Sequence, residues 1–213
     1  NVLVRIYQIA RENKAFLDAL IVATNSQNAI RPEDLLSNDT IQKTMQTVYH
    51  EYGVGYERKE GEALPGHSYA MTFSKEQAAM AYLGVFEGKC SKLRNSLSRR
   101  EFFREGEDYY RVFDLRGADG DAVPGPLPDD FEPGERTNHR CLQILAARCL
   151  EESCRRAVEA IKNRKERGSL KKGAYYLARV MYVRRQDDIE ILVRETAERE
   201  RSRAAANTFI GSV

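Results

Sequence analysis

Asn38-Asp39-Thr40-Ile41-Gln42-Lys43-Thr44-Met45-Gln46-Thr47-Val48-Tyr49-His50-Glu51-Tyr52-Gly53-Val54-Gly55-Tyr56-Glu57-Arg58-Lys59-Glu60 is the stretch that decides the fold. Asn38 or Asp39 can cap a helix, because a short polar side chain accepts from the orphan N–H groups of a first turn. Ile41, Met45, Val48 and Tyr49 then recur at helical spacing and give that helix one apolar face. Gly53 ends it, since a residue just past a helix end favours positive φ. Val54 to Glu60 reads as a strand. A capped helix running through a glycine into a strand places the chain in the α+β class.

Working upstream, Val2-Leu3-Val4-Arg5-Ile6-Tyr7 reads as a strand. Asn13 can cap a helix through Phe16, Leu17, Leu20 and Ile21, ending near Thr24. Pro32 suits the first turn of a short helix through Leu36. Downstream, Ser68 to Phe73 pairs with Val54 to Glu60 as a hairpin, with Gly61, Pro65 and Gly66 in the connection. Ser74 and Gln77 form a capping box for a helix through Met80, Tyr82, Leu83 and Phe86, which Gly88 ends. Phe102, Phe103, Tyr109, Tyr110, Val112 and Phe113 gather in residues 97–113 and read as a helical lid on the core.

Leu115 to Arg136 is rich in Gly, Pro and Asp and reads as a loop. Three helical segments follow, near 138–165, 173–186 and 187–207. Leu142, Leu145, Ala146, Cys149, Leu150 and Cys154 form the stripe of the first. Tyr176, Leu177, Val180, Met181 and Val183 form that of the second. The expected fold is therefore α+β, mainly α-helical, with a small β-sheet near the N-terminus and a helical C-terminal half. The expected units are an α+β region at 1–114, a linker at 115–136 and a helical region at 137–213.

With 213 residues, 42% of them hydrophobic and 31% charged, the chain can bury one core or two small ones. No apolar run approaches a membrane span, and no signal-peptide pattern opens it, so no membrane contact is expected. Four cysteines at 90, 141, 149 and 154 fit neither a disulfide framework nor a CxxC metal site. They suit a reducing compartment, and the expected location is cytoplasmic. Net charge is +2, yet residues 140–203 carry 17 Lys and Arg against 10 Asp and Glu. Such a basic half can face nucleic acid or an acidic partner, or simply be solvated.

The segment Ala23-Thr24-Asn25-Ser26-Gln27-Asn28 packs amides and hydroxyls between two helical segments. Asn25, Gln27 and Asn28 can bind a base or phosphate, with Arg31 adding charge, or they can cap local backbone groups. Val4-Arg5-Ile6, then Ala23 to Asn28, then Arg31-Pro32-Glu33-Asp34-Leu35-Leu36-Ser37-Asn38-Asp39-Thr40-Ile41-Gln42, then Tyr56-Glu57-Arg58-Lys59-Glu60-Gly61-Glu62, resembles the abortive-infection phage-resistance (AIPR) family of bacteria. The order and spacing hold over roughly the first half of the chain. The amide turn is also similar to the Asn-bearing segment of ParB/sulfiredoxin-like domains. Asn1 opens directly into a strand-like segment, so the chain reads as the C-terminal portion of a longer AIPR protein. The resemblance implies abortive infection as the setting and a nuclease-like domain upstream.

On a strand, Glu57 and Lys59 point to one face. That pair is part of a metal-dependent nuclease pattern, in which carboxylates hold Mg²⁺ and a lysine steadies the attacking water. It also needs a second acid, and Asp39 reads as a helix cap instead. His50, His67 and His139 are far apart and lie in no metal-binding context. No nucleophile elbow, Walker A motif or GxGxxG occurs. Arg155, Arg156, Lys162, Arg164, Lys165, Arg167, Lys171 and Lys172 cluster beside Tyr175 and Tyr176, where charge can hold a phosphate backbone.

The reading is a non-catalytic part of a phage-defence protein, with no cofactor and no metal. It would recognise nucleic acid or a nucleotide, or regulate an effector domain. The binding candidates are Asn25, Gln27, Asn28, Arg31, Arg58, Lys165, Lys171 and Lys172. The expected partners are DNA or RNA, an upstream domain of the same protein, and a second copy. Two alternatives stand beside it: a nuclease using Glu57 and Lys59, and a helical interaction or oligomerisation module. A large apolar patch on the last helices would favour the module.

Overall fold

The computed structural model describes residues 36–59, 61–62, 64, 68–91, 93, 107–115, 127–128, 130–171, 173–198 and 203–213, all within the unit Pro32–Val213. The expected first strand, first helix and amide turn, and Phe102 and Phe103, lie outside these residues.

A 3-10 turn at Leu36–Asn38 leads into α1 (Thr40–Glu51). Asp39 caps α1, its Oδ1 accepting from the Ile41 N–H at 3.1 Å. Ile41, Met45, Val48 and Tyr49 are buried, as their spacing requires. Gly53 ends the helix at φ +69°, and its N–H donates to the His50 carbonyl while that of Val54 donates to the Tyr49 carbonyl.

The chain then enters β1 (Gly55–Glu57), which pairs with β2 (Thr72–Ser74). Here the hairpin expectation is corrected. The strands are parallel, with Gly55 opposite Thr72, Tyr56 opposite Phe73 and Glu57 opposite Ser74. Residues 58–71 form a connection long enough to carry the chain back to the start of β1, which a parallel pair needs. Gly55 is required at the crossing: a Cβ there would meet Thr72 Oγ1 at 2.6 Å and Leu64 Cδ1 at 2.9 Å.

Strand β2 runs straight into α2 (Lys75–Val85). The capping box is present: Ser74 Oγ accepts from the Gln77 N–H at 3.3 Å, and Gln77 Oε1 accepts from the Ser74 N–H at 3.0 Å. Gly88 closes the end at φ +68°. After α3 (Glu107–Val112), the chain forms α4 (Glu135–Glu159), the hub against which α2, α6 (Ala174–Arg184) and α7 (Gln186–Ala197) pack. In the first turn of α4, the Thr137 hydroxyl accepts from the Gly134 N–H at 3.3 Å and donates to the Leu115 carbonyl at 3.1 Å. Tyr109, Tyr110, Val112 and Phe113 are buried on and beside α3, in one core with Tyr49, Tyr56, Phe73 and the α4 stripe. The fold is mainly helical with a small two-stranded sheet.

Where three C-terminal helices are expected, five helical stretches occur among the described residues. Helix α4 stops at Glu159, and Asn163 opens α5 (Arg164–Lys171) by accepting from the N–H groups of Lys165 at 3.0 Å and Glu166 at 3.3 Å. A side chain that satisfies two orphan donors favours a new start over a continued helix. Arg185, at φ −124° and ψ 22°, separates α6 from α7. Further on lies α8 (Arg203–Ser212), with Ala206 and Phe209 buried.

The second correction concerns α6. Its buried face is Ala174, Ala178 and Tyr182, whereas Tyr176, Val180, Met181 and Val183 are exposed. Small side chains let α6 approach α2 closely. At Gly84 of α2 a Cβ would meet Tyr175 Cδ1 at 2.8 Å. Tyr176, Val180, Met181 and Val183 are left outside, while Tyr182 packs inward with the two alanines.

Candidate functional site

Four observations bear on function. The first is a buried polar chain beneath α1. Tyr56 donates its hydroxyl to Gln42 Oε1 at 2.5 Å, and Gln42 Nε2 donates to the Tyr109 hydroxyl at 2.9 Å. Tyr109 in turn donates to Asp39 Oδ2 at 3.3 Å. Nearby, Tyr49 donates to the Cys141 carbonyl at 2.8 Å. Burial pushes the Tyr49, Tyr56 and Tyr109 phenols well above their usual range. These groups stay neutral, satisfy one another and tie α1, β1, α3 and α4 together. The chain also occupies Asp39, whose two oxygens cap α1 and accept from Tyr109. Glu57 is half-buried on β1 and Lys59 is exposed beyond it. Among the described residues no group of three or more His, Cys, Asp or Glu is placed to hold a metal ion.

The second is an open pocket of about 350 Å³ between α1 and the side chains of Glu62, Leu64 and Tyr69. The outer face of α1 supplies Gln46, Thr47 and His50. Val54, Tyr56, Glu62, Leu64 and Tyr69 complete the lining. Arg58 organises its wall. Its backbone N–H donates to Glu62 Oε2 at 2.7 Å, its Nη2 to Glu62 Oε1 at 2.8 Å, and its Nη1 to the Ser37 carbonyl at 3.3 Å. Partial burial would raise the Glu62 carboxyl, but the hydrogen bonds from Arg58 and Gln46 outweigh it and hold the group below the usual carboxylate range. The Tyr69 hydroxyl lies 3.4 Å from His50 Nδ1, and the two rings meet at 63°.

The third is an ion cluster on α4 that the sequence reading missed. Glu151 is buried between Arg148 and Arg155 and bonded to both. Arg156 pairs with Glu152 at 3.0 Å. Two cations of the expected basic cluster are thus spoken for within α4. The i, i+3 and i, i+4 spacings of these charges were the available signal. Lys162, Arg164 and Lys165 are exposed, and Lys171 ends α5. Lys172, Asn25, Gln27, Asn28 and Arg31 lie outside the described residues.

The fourth is the outer face of α6. Tyr176, Val180 and Val183 lie at helical spacing with Met181 beside them, and their exposures are 45%, 48%, 54% and 41%. Ile191 on α7 is 45% exposed. Scattered apolar residues are ordinary on a protein surface, whereas a contiguous stripe marks an interaction site. The opposite side of α6 is the buried face of Ala174, Ala178 and Tyr182, and its flank is anchored by Arg179, whose Nη1 donates to the carbonyls of Val85 at 2.6 Å and Phe86 at 2.7 Å.

All the pocket residues, α1, both strands and most of α2 fall in the segment that matches a known family. The family model described as AIPR protein matches residues 1–83, so this segment of the chain is similar to the AIPR family. The match points to abortive-infection phage defence as its setting. No curated protein and no solved structure matches the chain significantly. Among the described residues no helix is long and apolar enough to cross a membrane.

Proposed function

We propose that this AIPR-like chain serves phage defence as a non-catalytic assembly module, its α6 face pairing with a second copy of the chain. The carrying observation is the exposed stripe of Tyr176, Val180, Met181 and Val183 on a helix whose other side is pinned to the core. Val180 sits near the middle of the stripe. Two copies of α6 laid antiparallel about a two-fold axis set Val180 against Val180 and Tyr176 against Val183, so the patch is complementary to itself.

Charge supports the same arrangement. Helix α5 leads into the start of α6 and α7 follows its end. Antiparallel pairing therefore carries the exposed Asp187 and Asp188 of one copy toward the basic α5 of the other. The stripe then forms the apolar centre of an interface and the charges its rim.

Sedimentation equilibrium of the whole chain tests this. The wild type should be a dimer. Val180→Glu should be a monomer, because a carboxylate left unpaired in a buried interface costs about 3–5 kcal/mol, a hundredfold or more in Kd. A monomeric wild type, or a dimer untouched by Val180→Glu, would remove α6 as the assembly surface.

A further inference from the structure

Helix α5 and the residues that lead into it carry charge that the fold does not use. Lys162, Arg164, Lys165 and Arg167 stand within six residues, against one acid, Glu166. Lys162, Arg164 and Lys165 are exposed. On α4 the cations are spent: Arg148 and Arg155 on Glu151, and Arg156 on Glu152. Among the described residues Lys162, Arg164 and Arg167 are in no ion pair. The α6 pairing above brings two aspartates toward this helix, which leaves its cations in excess. The N–H groups of Lys165 and Glu166 are taken by Asn163, so the attraction comes from side chains and not from the helix end.

Gly168 gives the second observation. Glycine weakens a helix interior, so one is kept where the backbone conformation or a close approach demands it. Gly168 has no positive φ. A Cβ there would meet nothing within 4 Å. Neither conformation nor packing within the chain requires it. It lies four residues after Arg164 and three after Lys165, so it is a surface neighbour of both. The outward face of α5 is therefore a bare strip of backbone flanked by two cations.

The exposed residues here are Lys162, Asn163, Arg164, Lys165, Glu166 and Gly168. None is apolar, while Ile161 and Leu170 are half-buried. Protein interfaces need apolar or aromatic anchors at their centre, and membrane-surface helices need an apolar face to insert. Nucleic-acid interfaces are instead polar and strongly positive, and arginine binds phosphate oxygens through its planar fork. We propose that the outward face of α5 binds the phosphodiester backbone of a nucleic acid, with one phosphate crossing Gly168 between Arg164 and Lys165. Duplex DNA and single-stranded RNA present the same group.

The test is fluorescence anisotropy of the whole chain with labelled duplex DNA and single-stranded RNA across a salt series. Contacts by Lys162, Arg164 and Lys165 should lower duplex affinity by about 2.7 log units per decade of salt. Two duplexes of unrelated sequence should bind within about twofold of each other, since phosphate contacts carry no base information. Tighter binding of one of the two nucleic acids identifies the source.

Replacing Arg164 and Lys165 together by Gln should flatten the salt slope by about 2 units. The same loss of charge at exposed Lys43 and Arg194 should leave the slope unchanged. Gly168→Leu keeps every charge and favours the helix, yet should weaken binding by covering the bare strip. A folded chain that binds no nucleic acid at low salt, a slope untouched by the Arg164 and Lys165 pair, wild-type binding by Gly168→Leu, or equal binding of polyglutamate or anionic vesicles would each overturn the proposal. Because Val180 lies on α6 and not on α5, the dimer test and this one fail separately.

Discussion

Replacing Arg179 with Ala should loosen the clamp that holds α6 against α2. The guanidinium Nη1 donates to the carbonyls of Val85 and Phe86 at 2.6 and 2.7 Å, where α2 ends and its last carbonyls lack intrahelical partners. A cation there is also favoured by the helix dipole. Hydrogen bonds to a charged group contribute about 1.5–3 kcal/mol each, but both come from one nitrogen and the side chain is partly exposed. About 2–3 kcal/mol for the pair is therefore the working figure. The guanidinium carbon also sits 5.4 Å from the Tyr182 ring centroid, which adds about 0.5–1 kcal/mol at most. For a chain of this size each kcal/mol moves Tm by about 2–4 °C, so Arg179→Ala should melt about 5–10 °C lower. Arg179→Lys keeps the charge without the planar fork and should fall between. Arg184→Ala, on the exposed side of the same helix, should stay within about 0.5 kcal/mol of wild type. The assay is urea and thermal unfolding followed by circular dichroism. If Arg179→Ala unfolds like Arg184→Ala, the clamp is ornamental and the reasoning fails.

Tyr109→Phe should cost about 1–3 kcal/mol in urea unfolding, because it strands the buried Gln42 amide that donates to the Tyr109 hydroxyl; an unchanged midpoint would mean that the amide finds another acceptor. Stability should also respond to acid through Glu62. Its folded carboxyl is held below the usual range, so its contribution is fully present above about pH 4.3. That contribution should be lost as pH falls through the unfolded value toward the lower folded one. Glu62→Gln should flatten the acid limb of a stability-against-pH curve, and an identical limb would contradict the assigned Arg58–Glu62 contact.

Local chemistry made part of this fold readable in advance. Asp39, Gly53, Ser74 with Gln77, and Gly88 act within a few residues of themselves, so their sequence neighbours suffice to assign them. The direction of β2 was not readable, because it depends on the path of residues 58–71 and not on the strands. The α6 face failed for a different reason. From Ala174 to Val183 the helix is apolar almost all round, so periodicity gives no direction, and weight falls on the largest side chains. The inward face is instead Ala174, Ala178 and Tyr182, each four apart, with Gly84 admitting Tyr175. That four-residue spacing of alanines was the usable signal. The pocket was half legible. Arg58 stood among the candidate residues as a ligand contact, but its partner Glu62 sets its role, and the i, i+4 relation is visible in the sequence.

The central claim is that two copies meet through α6 in antiparallel register, and cysteine cross-linking tests it most directly. Cys90, Cys141 and Cys149 are buried and Cys154 is half-buried, so Cys154→Ser gives a quiet background. In that background Val180→Cys should form a disulfide-linked dimer rapidly under mild oxidation. Tyr176→Cys mixed with Val183→Cys should cross-link to each other faster than either does to itself. Equal, slow cross-linking at all three positions, at the rate of an exposed control such as Glu198→Cys, would contradict a two-fold α6 interface.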